Sequence, residues 1–384
     1  MIPFQQPPFS LYIHWPFCSF KCHYCDFVAF EQHADYQEQY HRTLLAEIRT
    51  FARHRGSAPE PITTIFIGGG TPSLYPLPWI SELFTTLREC FDLTSCVEIT
   101  LESNPADIDE EKLDCWHQLG INRLSVGVQS LDDAVLLKLN RRQRAADVQR
   151  VMRIAPKYIP NLSADLILGL PEVSEQMWQY TLQQAVQWPL KHLSLYFLTV
   201  HEKTPLYFGV QKGKIALPDE NSVVNSYENT VQMLESNGLM QYEISNFARP
   251  GHASLHNQGY WERRPYKGFG VGASSFDSSV RSINTNNLVT YLKSGQNADC
   301  IVPCTTETLT RKQAVLEHLM LGLRQKKGLD LQDMVYWLEH NELVHLRSQL
   351  PLLENAGLIS VIHDRICLTL KGMALENEVV LRLF

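Results

Sequence analysis

Residues 11–27 read Leu11-Tyr-Ile-His-Trp-Pro-Phe-Cys-Ser-Phe-Lys-Cys-His-Tyr-Cys-Asp-Phe27. An apolar, strand-like run from Leu11 to Trp15 leads straight into Cys18, Cys22 and Cys25, spaced C-x3-C-x2-C. The number of thiols decides the reading. A [4Fe-4S] cube has four irons and usually takes four thiolates, so a loop with three leaves one iron open to a chelating small molecule. An open iron is a site for chemistry.

Three other uses of such a loop are available. A structural zinc ion wants four protein ligands, usually from two C-x2-4-C knuckles. The other close pair here, Cys300 and Cys304, lies almost three hundred residues away, and His23 is confined between two of the thiols. Disulfides cannot pair three clustered cysteines evenly. A c-type haem attachment needs C-x-x-C-H, and the step from Cys18 to Cys22-His23 is one residue too long.

Working outward, β-rich apolar runs recur at Leu11 to Trp15, Ile62 to Ile67, Val97 to Leu101, Arg123 to Val128, Leu162 to Leu168 and His192 to Val200. Helix-period segments with caps separate them, at Asp35 to Arg53, Pro78 to Cys90, Asp109 to Leu119, Ala145 to Ala155 and Ser174 to Gln187. Near-continuous hydrophobic strands joined by helices imply a parallel sheet covered on its outer face. Six such units predict an α/β fold, an incomplete TIM-like barrel of (β/α)6 type, with its site at the carboxyl ends of the strands. A helix from about Glu220 to Ser236 and the run Gln241 to Phe247 extend it.

The βα rhythm stops after Lys293 to Asp299. Residues 300–384 are then expected to form a small, mainly helical, winged-helix-like domain, with a hairpin within Gly357 to Thr369, beside a barrel region spanning 1–299. Winged helices often bind DNA, but residues 305–384 carry 9 Lys and Arg against 10 Asp and Glu. The whole chain of 384 residues has a formal charge of −7. Neither offers the clustered cations that a polyanion partner needs, so nucleic acid is not expected. The first residues, Met-Ile-Pro-Phe-Gln-Gln-Pro-Pro, show neither a basic n-region nor an apolar h-region, and no run of eighteen apolar residues follows. The expectation is a cytoplasmic protein without a transmembrane segment, leaving room for peripheral contact with a membrane. Nine cysteines without regular pairing suit a reducing compartment.

Two further motifs carry polar chemistry. Ile65-Phe-Ile-Gly-Gly-Gly-Thr-Pro-Ser73 follows the second strand, and glycines let backbone groups approach a ligand without an intervening Cβ. It has neither G-x-G-x-x-G nor the Gly-Lys-Ser/Thr of a P-loop, and a tight strand-to-helix turn is the plainer reading. Glu102 closes the third strand, Gln129 closes the fourth and Asp165 lies in the fifth. Buried carboxylates need partners, which pairing with Arg123 or Arg141 would supply.

The cysteine spacing, with Tyr24 just before the third thiol and Tyr12-x-His-x-Pro just before the first, resembles the radical S-adenosylmethionine superfamily. The resemblance implies that the amine and carboxylate of S-adenosylmethionine occupy the open iron of a cluster on Cys18, Cys22 and Cys25. It implies that Gly69, Gly70 and Thr71 hold the amine, that Arg141 meets the carboxylate, and that Glu102, Gln129 and Asp165 meet the amine and ribose hydroxyls. Tyr12 fits a position touching the sulfonium or the cluster edge, and Tyr24 joins the cofactor set. Such a protein needs an electron donor.

Within the superfamily the motifs are similar to the anaerobic coproporphyrinogen-III oxidase-like family, which has a dehydrogenase branch and a haem-chaperone branch. The dehydrogenases typically carry a fourth cysteine two residues after the third, where this chain has Phe27, and an N-terminal extension, whereas Cys18 comes early here. His256-Asn-Gln-Gly-Tyr-Trp261 matches the H-N-x-x-Y-W motif of the chaperone branch. Imidazole is a common axial ligand of haem iron and aromatics pack on porphyrin faces, so the resemblance implies haem held by His256, Tyr260 and Trp261 and passed to an acceptor protein. His252 and His201 are alternatives to His256, and a histidine near aromatics is also an ordinary loop residue. The competing activity is oxidative decarboxylation of coproporphyrinogen III to protoporphyrinogen IX.

Overall fold

Strand β1 (Phe9–Trp15) sorts its side chains by alternation. Leu11, Ile13 and Trp15 are fully buried toward the covering helices, while Ser10, Tyr12 and His14 face the other way. The structure, a computed structural model, describes residues 9–55 and 61–384. The stretch Met1 to Pro8, expected to carry no leader, lies outside them.

After β1 the cysteine loop opens and closes on two short parallel strands, β2 (Phe17–Cys18) and β3 (Phe30–Glu31). The barrel continues with β4 (Ile62–Gly69), β5 (Glu98–Ser103), β6 (Arg123–Gln129), β7 (Asn161–Leu168) and β8 (His192–Phe197). The six long strands stand in the order β1-β4-β5-β6-β7-β8, and every neighbouring pair is parallel. Helices Gln37–Arg55, Leu77–Cys90, Glu110–Leu119, Ala145–Ile154 and Glu175–Gln187 cover the outer face. Two begin where their caps dictate. Asp109 accepts from the amide of Lys112, and Ser174 accepts from that of Met177. This is the partial (β/α)6 barrel expected. The sixth strand ends at Phe197 instead of Val200, because Leu198 makes the last link, to the carbonyl of Leu168, before the chain turns away.

Both edges of the sheet are extended. Beyond β8 lie β9 (Met240–Glu243) and β10 (Asn246–Ala248), antiparallel. Beyond β1 lies β11 (Tyr266–Phe269), parallel to it, followed by β12 (Ser274–Asp277), β13 (Val280–Asn284) and β14 (Cys304–Thr308). A second core begins with helix Arg311–Leu323 and includes Val315, Leu319, Leu346, Leu353, Ile366 and Val379. It packs helices against a small sheet of β15 (Leu329–Asp330), β16 (Ile359–Ile362) and β17 (Arg365–Leu368), the winged-helix-like pattern. Ile244, from the turn between β9 and β10, belongs to that core and joins the two regions. Among the described residues no helix is long and apolar enough to cross a membrane.

Candidate functional site

The inward face of the barrel is largely polar, with Phe66 and Ile167 as apolar members. Ser10, Thr64, Glu98, Arg123, Ser163 and His192 are all buried there, so each must find a partner inside. At the carboxyl ends of the strands this interior opens into a cavity of about 590 Å³. Cys18, Cys22, Tyr24 and Cys25 form one wall, Gly69, Gly70 and Thr71 the next, and Glu102, Gln129, Arg141 and Asp165 are among the residues that complete it. Four residues named from sequence lie elsewhere: Tyr12, His256, Tyr260 and Trp261.

The cysteine loop is tied down by backbone bonds, from Phe30 N to Pro16 O (2.8 Å) and from Cys25 N to Cys22 O (3.1 Å). Thr71 donates its hydroxyl proton to Cys18 Sγ at 3.2 Å. Burial pushes the Cys18 thiol up to about 11 and raises that of Cys25, so a metal has to displace protons to gain these ligands. The fourth donors weighed for zinc do not join the three thiols. His23 is turned away, with Nδ1 donating to Lys138 O at 2.8 Å. Cys300 is buried against Thr43 O, and Cys304 is exposed on β14. Among the described residues no three or more His, Cys, Asp or Glu side chains gather closely enough to hold a single metal ion.

The glycine run does something the sequence did not reveal. A Cβ on Gly70 would stand 2.7 Å from Pro16 C and O and 3.0 Å from Cys18 Sγ, and one on Gly69 would meet the His14 ring at 2.5 Å. Gly69 also has φ +117°, a backbone that L side chains rarely adopt. These glycines let β4 close against the cysteine loop. Gly70 N donates to Trp15 O at 2.8 Å and Thr71 N to Phe17 O at 3.0 Å, locking the two motifs together.

The strand-end polar groups are incompletely paired. Glu102 accepts from Gly69 N at 3.1 Å, and burial, reinforced by Asp165, pushes its carboxyl up to about 7. Asp165 accepts from Ser125 Oγ (2.9 Å to Oδ2), and burial raises it too. Among the described residues neither carboxylate comes within ion-pair distance of Arg123 or Arg141, although the buried Arg123 lowers both through space. Arg141 instead donates to Asn104 Oδ1 (3.1 Å), Gly127 O (2.8 Å) and Cys22 Sγ (3.7 Å), and its buried Nε has no partner. Gln129 sits at φ +64°, where β6 breaks off into the cavity wall. A guanidinium with an unmet N–H lining one cavity with two carboxylates that lack a direct ion pair is a donor set suited to a zwitterionic ligand, so the residues fit S-adenosylmethionine.

Tyr12 lines a neighbouring cavity of about 380 Å³ that shares Gly69, Glu102 and Phe27 with the first. Its hydroxyl donates to His14 Nδ1 at 3.0 Å, and His14 Nε2 donates to Val28 O at 2.8 Å. Burial pushes His14 down to about 4, so the ring is neutral. This relay pins the far end of the cysteine loop. Sequence reasoning noted His14 only as part of a motif and assigned it no task, and it overlooked Asn104 as the holder of Arg141.

The structure places His256 away from the cysteine cavity. Its helix, Leu255–Trp261, lies across the inner face at the opposite end of the strands from the cysteines, capped by Ser254. Glu98 accepts the amides of Leu255 (2.9 Å) and His256 (3.0 Å). The ring is 1% exposed. Nδ1 bonds Thr64 Oγ1 and Nε2 bonds the Tyr260 hydroxyl, both at 2.8 Å. Thr64 gives its own proton to Ser10 Oγ, so Nδ1 donates and Nε2 accepts. With both nitrogens engaged, the imidazole is not open to a haem iron in this conformation. Tyr260 stands in the wall of the smaller cavity. Trp261 faces the Arg324 guanidinium at 4.8 Å, across to the second core. The motif builds the floor of the barrel and its joint with the C-terminal region.

Comparison with known proteins places this geometry. The Radical SAM superfamily profile matches residues 12–185 and the HemN C-terminal domain profile matches residues 309–375. The heme chaperone HemW of Lactococcus lactis is 32% identical over 97% of this chain and 97% of its own length. HemW of Bacillus subtilis is 33% identical over 96% of this chain and 97% of its own. The solved coproporphyrinogen III oxidase HemN of Escherichia coli superposes with a TM-score of 0.84, covering 100% of this chain and 91% of that one at 24% identity, a likeness of fold. The chain belongs to the radical SAM superfamily and, within it, to the family of the heme chaperone HemW.

Proposed function

We propose that the protein is a haem chaperone: it carries a [4Fe-4S] cluster on Cys18, Cys22 and Cys25, binds S-adenosylmethionine at the remaining iron, takes up haem and hands it to an acceptor protein. One observation carries the reading. The three thiols, the glycine run and the strand-end polar residues line a single cavity, in a chain that matches heme chaperones over 97% of its length.

In this reading Arg141 turns its unmet Nε toward the cofactor carboxylate, and Glu102 accepts from the ammonium. Gln129 and Asp165 take the ribose hydroxyls, and Tyr24 closes the wall beside Cys25. Bound together, the cluster and S-adenosylmethionine supply one-electron reductive chemistry. The chain's own part is to orient the ligand and to hold Cys18 and its neighbours through Thr71 and the His14 relay. Phe27, where the dehydrogenase branch typically has a further cysteine, is 65% exposed at the boundary of the two cavities and offers an apolar face where a thiol would otherwise stand. The nine free thiols suit a reducing cytoplasm, in which a haem acceptor and an electron donor are the partners.

The test uses anaerobically reconstituted full-length protein. Iron and acid-labile sulfide are counted, haem is titrated, and transfer to an apo-haemoprotein is followed by absorbance. The reading expects a filled cluster, a Soret band and transfer, with coproporphyrinogen III left unconverted. Turnover of coproporphyrinogen III without haem affinity would reverse it in favour of the dehydrogenase.

A further inference from the structure

Cations gather around the cysteine loop. Residues 18–25, 137–142 and 201–214 are far apart in sequence, yet they carry seven Lys and Arg against one Glu in a chain whose formal charge is −7. Hydrogen bonds make them one surface. On one side of the loop His23 N donates to Leu139 O (3.0 Å), His23 Nδ1 to Lys138 O (2.8 Å) and Asn140 Nδ2 to Lys21 O (2.8 Å). On the other side Leu206 N donates to His23 O at 3.0 Å. His23, between Cys22 and Cys25, is the point at which the three segments meet.

Arg141 is committed to the cavity, which leaves six cations: Lys21 half-buried, and Lys138, Arg142, Lys203, Lys212 and Lys214 exposed. Asp26, Glu31, Glu172 and Glu202 lie among or beside them, with Glu172 paired to Lys138 and Asp26 at ion-pair distance from His201. The local balance stays positive on a negative chain. Two large apolar side chains stand in the same field. Leu137, next to Lys138, is 74% exposed, and Phe208, in the helix Pro205–Gln211, is 49% exposed. Neither lines the cavity. Apolar side chains ringed by charge are the makings of a protein–protein contact.

The place of this surface selects its partner. The cluster reading requires single electrons from outside, and electron transfer falls off steeply with distance. His23 is joined through its backbone to Cys22 and, by way of Tyr24, to Cys25, so a partner seated on it reaches the cluster loop without entering the cavity. Redox encounters use small interfaces and are steered by opposite charge, so a basic face calls for an acidic carrier. A nucleic acid or an anionic membrane is held by more extensive phosphate or headgroup contact than these three segments supply.

We propose that the surface centred on His23, with Leu137 and Phe208 at its apolar core and Lys138, Arg142, Lys203, Lys212 and Lys214 around them, is the docking site of a small, acidic one-electron carrier protein. This rests on the cluster reading above.

The probe is an acidic flavodoxin, added to the anaerobically reconstituted full chain. Its flavin hydroquinone gives up one electron and becomes the semiquinone, while [4Fe-4S]2+ becomes [4Fe-4S]+, and no other bond changes. Binding is read from flavin fluorescence and transfer from the loss of visible cluster absorbance, each across a range of salt. Wild type is compared with the triple variant Lys203→Glu, Lys212→Glu, Lys214→Glu, and with a control of equal charge change placed elsewhere, Lys293→Glu, Lys312→Glu, Lys371→Glu. The first triple variant should bind and accept electrons roughly tenfold more slowly at low salt, since steering is worth 10-fold to 1,000-fold in association rate, and should approach wild type at high salt. The control should match wild type, and dithionite should reduce all three proteins alike. Leu137→Ser should weaken binding at high salt as well. A Lys203, Lys212, Lys214 variant that behaves as wild type overturns the docking site and leaves the cluster reading standing, and so does a wild-type protein that ignores the flavodoxin but binds duplex DNA or anionic vesicles through these lysines. Failure of the wild-type chain to assemble a cluster overturns the reading beneath it, and the fluorescence titration still decides the surface.

Discussion

Replacing Gly70 by alanine tests whether the glycine run exists to seat the cysteine loop. The added Cβ would lie 2.7 Å from the backbone of Pro16, whereas carbon atoms in ordinary contact stand about 3.5–4.0 Å apart, so a gap of roughly 0.8 Å or more has to open. The obstructing atoms are held on several sides. Pro16 O accepts from Phe30 N, Trp15 O accepts from Gly70 N, and the Trp15 ring stacks on Tyr75 at 3.8 Å between centroids. Overpacking costs about 1–3 kcal/mol, and loosening each of the two hydrogen bonds adds about 0.5–1.5 kcal/mol. The stiffer unfolded chain of the alanine variant returns only about 0.4–1 kcal/mol. A net loss of about 2–4 kcal/mol follows, and the displacement falls on the residue two before Cys18. Gly357→Ala is the control, because its Cβ meets nothing within 4 Å and its φ of +70° is the whole penalty, about 1–2 kcal/mol. The assay pairs urea midpoints with iron and sulfide counts after anaerobic reconstitution. Gly70→Ala should lose stability and cluster together, Gly357→Ala only some stability. A Gly70→Ala protein with a wild-type midpoint and a full cluster would refute the packing argument.

Other outcomes follow from the same geometry. Cys25→Ala should abolish the broad visible absorbance of the cluster, and full retention of iron and sulfide in that variant would remove Cys25 from the ligand set. Thr64→Val takes the partner from His256 Nδ1, leaving a buried donor unmet at about 1–3 kcal/mol; thermal unfolding should register the loss, and an unchanged Tm would count against the hydrogen bond. Arg324→Ala strips the fully buried Glu243 of its ion pair, an effect of about 3–5 kcal/mol for a buried charge left alone, and should make the C-terminal region sensitive to limited proteolysis; resistance equal to wild type would count against the joint. In the ligand-free protein burial, then Asp165, lifts the Glu102 carboxyl from 4.5 to about 7. The folded chain keeps a proton there that the unfolded chain releases, so this contribution is complete below about 4.5 and disappears as pH rises through about 7. Glu376 is also pushed to about 7 and follows the same course, so the informative quantity is a difference: Glu102→Gln should flatten part of the fall in urea midpoint between about pH 5 and about pH 8, and an unchanged slope would exclude Glu102 as its source.

The barrel was legible because its outer side is written in short range. Leu11, Ile13 and Trp15, or Ile65 and Ile67, are apolar wherever a helix covers them, and caps such as Asp109 and Ser174 mark where those helices begin. The inner side is written in long range. Thr64 and His256 are 192 residues apart, Glu98 and His256 are 158 apart, and Arg324 and Ser245 are 79 apart. No periodicity within a window reports such pairings. The helix Leu255–Trp261 accordingly went unread: its seven residues, with a glycine and three aromatic or imidazole rings, carry no helical apolar stripe, and contact with the barrel wall holds them in place.

The same distinction governs the site. Three thiols within eight residues must share one loop whatever surrounds them, so the grouping of Cys18, Cys22 and Cys25 in one cavity wall was legible from spacing. That Glu102 and Asp165 need partners was legible because a carboxylate in an apolar strand has to be answered from inside the fold, whereas a role toward a cofactor came only with the resemblance. A histidine offers no such constraint, since it is content as donor and acceptor in a hydrogen-bonded floor or as a ligand at an opening. What holds His256 is the partner of each ring nitrogen. The Thr64 and Tyr260 hydroxyls engage both of its ring nitrogens. A motif that names an imidazole but not its neighbours therefore identifies the wall a histidine belongs to only after the chain has folded.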